Sequence, residues 1–450
     1  MGARFRVTDR KQPMLFPPSL DEVIPEDHLS RIVVDVVDQL DLSAIEASYN
    51  QEGDGRSAID PAAMLATLIY AYAHKVLSSR QIEIACQEQV VYRWLSGQTL
   101  PDHATIARFR QRHSAVFQDL FTQALDLVRR YGLGKAGTIA LDGTKLKGNA
   151  AMDQNKTLKA ITKELTEAAQ IRDLAENARF GRKRGDELPK HLRGAENRRR
   201  RLEEAKRQIE DEQSGKAATQ QAKIEQRKSE ERETGRRKRG RKPRPPKTEA
   251  DPGAKANVTD PDSRLLKTRQ GFVQGYNAQA VVSLDQIILA ADVVQDANDV
   301  KQLVPMVEQA QANVVRTAAE GVAAEIEAIL ADAGYHSEAN LKGLESLQVE
   351  GFIPSTKSWK LRKELQAKGR PRGRMRKTMT RTERMERKLR TVRGEKAYKA
   401  RGRTIEPVFG QTKHGFQGLT RRGLQAAKAD WAMLCLAHNV KKLWRSRKTA

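Results

Sequence analysis

Two β-rich parts of one core lie on either side of about a hundred residues that cannot join it. The first is TIALDGTKLKG (138–148), which ends in a glycine turn. The second is GFVQGYNAQAVVSLDQIILAADVVQ (271–295), two strands around the short polar turn Ser283-Leu284-Asp285-Gln286, a hairpin pattern. The stretch between them, about 150–255, is polar and strongly charged. Any sheet that uses both parts is therefore assembled across an insertion. Downstream, NDVKQLVPMVEQAQANV reads as a helix and AAEIEAILA as a second helical run, leading to ADAGYHS at a strand end. The helix ANLKGLESLQ and the short strand GFIPS follow, then a helical closing segment, RTIEPVFGQTKHGF and LQAAKADWAMLCLAHNVKKLWRS. With insertions removed, residues 138–425 read strand, strand, strand, helix, strand, helix, strand, helix. This order predicts a mixed α/β sheet with helices on both faces.

The other segments sort around that core. Residues 1–57 read as a leader and one helix. HLSRIVVDVVDQLDL has apolar residues at helical spacing, Pro25 is an upstream start signal, and GDGRS (53–57) is a separating turn. Residues 58–135 read as an all-α unit. Asp60 is placed to cap, and Pro61 to open, the helix in IDPAAMLATLIYAYAHKVL. Ser78 or Ser79 caps SSRQIEIACQEQVVYRWLSG, which stops at Gly97, and Pro101-Asp102 opens the next helical run. Arg108, Arg110 and Arg112 on that run suit the reading helix of a helix-turn-helix-like DNA-binding domain. A plain helical bundle with solvated arginines has the same pattern.

The α/β domain takes 136–149 and 256–425. Residues 150–255 read as an inserted charged arm. Apolar positions 158, 161, 165, 171 and 174 mark one helical face, FGRKRGDELP a break, and NRRRRLEEAKRQIEDEQ a second charged helix. The arm ends in ETGRRKRGRKPRPPKTEADPG, which reads as a disordered basic linker. A second basic insertion spans 357–397, and 426–450 is a C-terminal helix.

A formal charge of +25 points to a polyanionic partner, because lysines and arginines lined along phosphates release condensed counterions. Charge alone does not separate an enzyme from a ribosome-associated or nucleoid protein. Cys86 and Cys435 lie far apart and match no metal-ligand spacing, which suits a reducing compartment. The first residues, MGARFRVTDRKQPM, contain no apolar run of the secretory kind, and Arg6 stands where a myristoylation signal wants Ser or Thr. No stretch approaches the ~20 apolar residues of a membrane span. The expectation is a cytoplasmic, nucleoid-associated protein with no membrane partner.

Three acids stand out. Asp142 follows Ile139-Ala140-Leu141 and precedes Gly143, so it sits in or at the end of a central strand, where an unpartnered acid is costly. Asp332 follows Ile329-Leu330-Ala331 and precedes Ala333-Gly334. On neighbouring strands roughly 4.8 Å apart, the two carboxylates repel unless they share a divalent cation. Glu406 reads as opening the last helix, with Thr404 as N-cap and Pro407 in the first turn. A third carboxylate there completes a two-metal site, in which one ion activates water or a 3′-hydroxyl and the other stabilises the leaving oxygen. Each acid alone has a bland reading: turn residue, strand-end cap, or complement to a helix dipole. The trio favours metal.

From about residue 58 to 445 the chain resembles bacterial insertion-sequence transposases with an Asp-Asp-Glu triad and a ribonuclease H-like catalytic domain. IALDGTKLKG and ILADAGYHS resemble the blocks around that family's two aspartates, and SSRQIEIAC…YRWLSG…PDHATIARFR its N-terminal DNA-binding region. YKARGRTIEPVFGQTK resembles the Tyr-Arg-Glu-Lys signature of one branch, in Tyr398, Arg401, Glu406 and Lys413. The commonest spacing puts the arginine four residues before the glutamate; Arg401 stands five before it, so either Arg401 or Arg403 fills the role. Glu406 and Lys413, seven residues apart, project from one helical face. Lys413 and an arginine would then hold phosphates, and Tyr398 would contact a phosphate, sugar or base.

The resemblance implies Mg²⁺-dependent cleavage of element ends and strand transfer into target double-stranded DNA. It also implies two ions, for which Mn²⁺ could substitute, and a homodimer on DNA. The competing readings are a non-catalytic DNA-binding protein or repressor derived from a transposase, and a ribonuclease H-like nuclease that cuts without joining. Two decoys are set aside. Gly132-Leu-Gly134-Lys-Ala-Gly137 has dinucleotide-motif spacing but follows a helix and precedes a strand, the reverse of what that motif needs. His336 and His414, near two of the acids, read as supporting residues rather than ligands.

Overall fold

The structure is a computed structural model that describes residues 19–49, 58–168, 193–238, 240–268, 270–317, 325–376 and 378–449. The chain divides into two compact units, Met1–Leu133 with Met433–Ala450, and Gly134–Ala432.

The first unit is all helix: α1 (Leu20–Val23), α2 (Leu29–Val37), α3 (Ser43–Glu46), α4 (Pro61–Ala73), α5 (Ser79–Glu88), α6 (Val90–Leu95), α7 (His103–Arg112) and α8 (Phe117–Arg130). The starts follow the local chemistry. Asp60 accepts the Ala62 N–H ahead of Pro61, and Asp102 accepts the Thr105 N–H at 2.6 Å. The run from Ser79 to Gly97 is two helices, because Gln89 takes an extended backbone between α5 and α6. Helix α4 is buried on nearly every side from Met64 to Ala73, which makes it the centre of this unit.

The second unit is built on a six-stranded sheet. Its strands are β1 (Gly137–Lys147), β4 (Arg264–Thr268), β5 (Gly271–Ser283), β6 (Ile288–Val294), β7 (Ile326–Ala331) and β8 (Glu350–Phe352). A separate two-stranded ribbon, β2 (Asn155–Thr157) with β3 (Lys255–Asn257), lies at the root of the insertion. β1 is central: β5 pairs antiparallel on one side, and β7 then β8 run parallel on the other. Both β4 and β6 pair with β5 along its far edge. The hairpin turn lies where expected, with Gln286 at φ +67°. Residues 326–331, read from sequence as the end of a helix, are strand β7. Paired between β1 and β8, their apolar side chains are buried on both sides, and such a run has no helical stripe to distinguish it.

Helices cover both faces. α11 (Leu303–Arg316) packs on β5 and β6, α12 (Glu338–Ser346) on β8, and α15 (Val392–Lys413) on β1 and β7. α13 (Trp359–Ala367) and α14 (Arg381–Leu389) occupy the second basic insertion, and α16 (Leu424–Thr449) closes the chain.

The described part of the insertion is structured. Residues 158–168 form α9, and α10 (Arg193–Thr234) is a single 42-residue helix. Ile161 of α9 meets Leu202, Ala205 and Ile209 of α10, Ala256 of β3 and Val258 just after it in a small core of their own. Positions 171 and 174 and the FGRKRGDELP break lie outside the described residues. Of the basic stretch read as a disordered linker, Glu233 and Thr234 end α10, and residues 240–247 have no regular secondary structure yet lie along that helix, held by its side chains.

Candidate active site

Sheet order brings the first two acids together. Asp142 lies in β1 opposite Ala280 of β5. On its other side β1 pairs with β7, Leu141 opposite Ala331, so Asp332, one residue past β7, comes level with Asp142 on the adjoining strand. Asp332 caps a short 3-10 turn, Ala333–Tyr335, its Oδ1 accepting the Gly334 N–H at 2.6 Å. Asp142 Oδ1 accepts the Gly143 N–H at 2.8 Å.

Glu406 comes from the middle of α15, which corrects the expectation that it opens a helix. Thr391, not Thr404, is the cap, accepting the Gly394 N–H; Thr404 is buried mid-helix and its hydroxyl donates to Ala400 O at 2.9 Å. Pro407 is tolerated inside the helix for a visible reason. Its ring nitrogen cannot donate to the Arg403 carbonyl, and Gln286 Nε2 donates to that carbonyl instead, at 3.1 Å.

One guanidinium joins two of the acids. Arg401 Nη1 stands 2.9 Å from Asp142 Oδ2 and its Nη2 3.3 Å from Glu406 Oε1. Of the two arginines left open by spacing, Arg401 touches the acids and Arg403 is exposed. Lys413, two turns beyond Glu406, donates to Thr144 Oγ1 at 2.9 Å and to Lys145 O at 3.3 Å, two to three residues along β1 from Asp142. Tyr398 lines a cavity of about 400 Å³ with Arg362, Arg390, Arg401 and Glu406, and the Arg362 guanidinium lies over its ring at 5.0 Å.

The electrostatics follow the geometry. Burial pushes the Asp142 carboxyl above its usual range; Arg401 pulls it down, and Asp332 pushes it up again. Burial works against the Arg401 charge, but Asp142, Tyr398 and Asp332 outweigh it, and the guanidinium is held above its ordinary value. Burial lowers the Lys413 ammonium and the His336 imidazole.

Two features were not read from the sequence. Lys357, on the loop after β8, brings its Nζ to 4.0 Å from Asp332 Oδ2. On the opposite face of β1, Asp299 Oδ1 accepts from Asn277 at 2.7 Å and Gln279 at 2.9 Å, and Lys145 stands 3.4 Å away. The Tyr335 hydroxyl donates to Gln279 Oε1 at 2.5 Å. Gly143 lies against this network; a Cβ there would fall 2.5 Å from Gln279 Nε2 and 2.7 Å from Asp299 Oδ1. The available signal was two polar residues at alternate positions, Asn277 and Gln279, inside an apolar strand.

Among the described residues no three His, Cys, Asp or Glu side chains stand close enough to enclose an ion. The donor set still fits a divalent cation. Asp332 is a neighbouring carboxylate that raises the cost of ionising Asp142, and a cation already bridges Asp142 and Glu406.

In the helical unit, Arg110 is buried, which removes it from the expected DNA-reading set. Its Nη1 donates to Leu77 O at 2.6 Å and its Nη2 to Tyr72 Oη at 2.8 Å. The signal was present: Ile106, Phe109, Arg110 and His113 share one buried helical face. Arg108 and Arg112 are exposed, with the Arg112 guanidinium 5.1 Å over the Tyr49 ring.

Two family models match the chain. Transposase domain (DUF772) covers residues 18–112, and Transposase DDE domain covers 253–440, which takes in Asp332, Arg401, Glu406 and Lys413. The chain belongs to the insertion-sequence DDE transposases. No curated protein and no solved structure matches it. Asp142 lies upstream of the DDE match, across the insertion, and is tied to it by the pairing of β1 with β5 and β7. The family implies a ribonuclease H-like fold, a DNA substrate and divalent metal, in keeping with the mixed sheet of this transposase. No helix among the described residues is long and apolar enough to cross a membrane.

Proposed function

We propose that this transposase binds the ends of its insertion sequence, cuts them, and joins the freed 3′-ends to target double-stranded DNA, with Asp142, Asp332 and Glu406 holding two Mg²⁺ ions. The observation that carries this reading is that acids from β1 and α15 share one cation, Arg401, while the end of β7 brings Asp332 level with Asp142 on the adjoining strand. Bound there, divalent ions would stabilise the attacking and leaving oxygens of an in-line phosphoryl transfer, and Mn²⁺ would serve in place of Mg²⁺.

The chain's own groups have separate tasks. Arg401 neutralises Asp142 and Glu406 before substrate arrives and then offers a forked donor set to a backbone phosphate. Lys413, fixed against β1 by Thr144, supplies a point charge for a second phosphate. Tyr398, walled by Arg362, presents a ring for a sugar or base. This is the work of a Tyr-Arg-Glu-Lys signature made of Tyr398, Arg401, Glu406 and Lys413. Helices α5 to α7 serve as a helix-turn-helix-like reader of element ends through Arg108 and Arg112. The transposase acts as a homodimer on DNA in the cytoplasm, in contact with the nucleoid. Residues 58–135 form the recognition domain, and 136–149 with 256–425 the catalytic one.

The test uses purified protein and a duplex carrying the element's terminal repeats. Asp142→Asn, Asp332→Asn and Glu406→Gln should each abolish metal-dependent cleavage while end binding persists. Each single variant should be about as inactive as the triple, since groups acting as a unit are not additive. Asp153, Glu338 and Glu395 changed to amides should keep activity. A Glu406→Gln protein that still cuts would sink the assignment, and cleavage without joining would reduce the activity to that of a nuclease.

A further inference from the structure

The inserted arm carries a second ordered surface, built to a repeat and sharing no residue with the acid site. Helix α10 is about 63 Å long at 1.5 Å per residue, and its first part is anchored through Leu202, Ala205 and Ile209 and through the Glu212–Arg264 ion pair. From Ile209 to Thr234 it continues for about 38 Å, and no residue of Asp211–Thr234 is fully buried. Gly235 then takes φ +61°, a conformation that ends helices, and the chain turns back.

The returning strand is stapled to the helix. Gln213 Nε2 donates to Lys247 O at 2.6 Å, Gln220 Nε2 to Arg244 O at 2.8 Å, and Arg227 Nη1 to Arg241 O at 3.0 Å. The donors recur every seven residues along the helix and the acceptors every three along the strand. Seven helical residues advance about 10.5 Å and three residues of polyproline II about 9.3 Å, so the two repeats stay in register. The sequence RKPRPPK suits that conformation: Pro243 and Pro246, three apart, are half-buried, and Arg241, Lys242, Arg244 and Lys247 are exposed. At the tip, Arg227 Nη2 also donates to Lys238 O at 2.6 Å, and Glu231 accepts the Lys238 N–H at 3.0 Å. Inward carbonyls and outward cations make a ridge whose positive charges are ordered before any partner binds.

We propose that this ridge, Arg241 to Lys247 on α10, is a sequence-independent docking surface for the phosphate backbone of duplex DNA, made of residues other than the catalytic acids and the recognition arginines. The inference rests on the reading of DNA as substrate. Phosphates are the partner that a row of lysines and arginines without intervening acids favours. A strand already held in place loses no chain entropy when they bind, which a disordered tail would.

Binding of the full chain to a random-sequence 30-base-pair duplex, by fluorescence anisotropy across a salt series, tests this. Arg241→Gln/Lys242→Gln/Arg244→Gln should weaken binding at least tenfold, equally on random and element-end DNA. It should also lower the slope of log K against log salt by up to about 2.7, three contacts at about 0.9 each. Gln213→Leu/Gln220→Leu keeps every charge and should still weaken binding severalfold; Pro243→Gly/Pro246→Gly is a second unstapled variant should the first misfold. Circular dichroism and cleavage at saturating protein should match wild type for all. An unchanged slope and affinity in the charge variant overturns the proposal. So does full affinity in both unstapled variants, which would make the segment a simple basic tail, or a loss confined to single-stranded RNA of equal length. Failure of the wild-type chain to bind any duplex would overturn the DNA reading itself; wild-type binding with unaffected arm variants would overturn this inference alone.

Discussion

Replacing Arg401 by Met should destabilise the catalytic unit, and the loss should depend on Asp142 being charged. The Arg401 side chain is 16% exposed and that of Asp142 23%, and they meet at 2.9 Å. Breaking a fully buried pair from one side costs about 3–5 kcal/mol, and a charge-assisted hydrogen bond is worth about 1.5–3. Partial solvent access and the second partner, Glu406, whose side chain is 64% exposed, bring the expectation to about 2 kcal/mol. That corresponds to a fall in Tm of about 3–4 °C for a unit that runs from Gly134 to Ala432. Asp142→Asn should be close to neutral, because burial and Asp332 already make the ionised carboxyl unfavourable. The double variant should recover about 1–2 kcal/mol of the Arg401→Met loss.

The pH dependence has a definite sign. The folded-state pKa of Asp142 is raised, so its contribution to stability is present in acid, below the unfolded value, and is lost as pH rises through the folded value. Arg401→Met should therefore cost least in acid, where Asp142 carries a proton, and most above the carboxylate range. Denaturant unfolding in a chelating buffer, followed at several pH values, measures both effects. Additivity of the two substitutions within about 0.5 kcal/mol, or a loss independent of pH, would refute the reasoning.

Two further outcomes are expected. Gly143→Ala forces Gln279 and Asp299 apart and should cost about 1–3 kcal/mol in thermal or denaturant unfolding, with reduced cleavage because Asp142 is the adjacent residue. Arg110→Ala should destabilise the helical unit by about 2–4 kcal/mol, since Tyr72 Oη and Leu77 O lose their donor. Arg108→Ala should leave stability unchanged and lower preference for element ends by roughly 1–3 kcal/mol in competition binding; an equal loss on random DNA would limit Arg108 to gripping phosphate.

The sequence by itself determined what depends on a few neighbouring residues. Asp60 before Pro61 and Asp102 before His103 start helices because a side-chain oxygen can reach an unpaired N–H two or three residues on. The Ser283–Gln286 turn and the alternation around it produce the hairpin. Asp142 and Asp332, each at the close of an apolar run, lie in β1 and just past the paired strand β7. Tertiary structure decided what depends on partners far away in the chain. Arg401, rather than Arg403, was turned to the acids by Asp142, 259 positions distant, and Pro407 was kept inside α15 by Gln286, 117 positions before Arg403. Arg110 was turned inward by Tyr72 and Leu77, and a basic, proline-rich stretch without helical or strand periodicity was ordered by side chains spaced every seven residues on α10. Caps and turns are satisfied within one or two helical turns and leave a local pattern. The energy of a buried charge or an orphaned carbonyl is fixed only when the chain has closed around it.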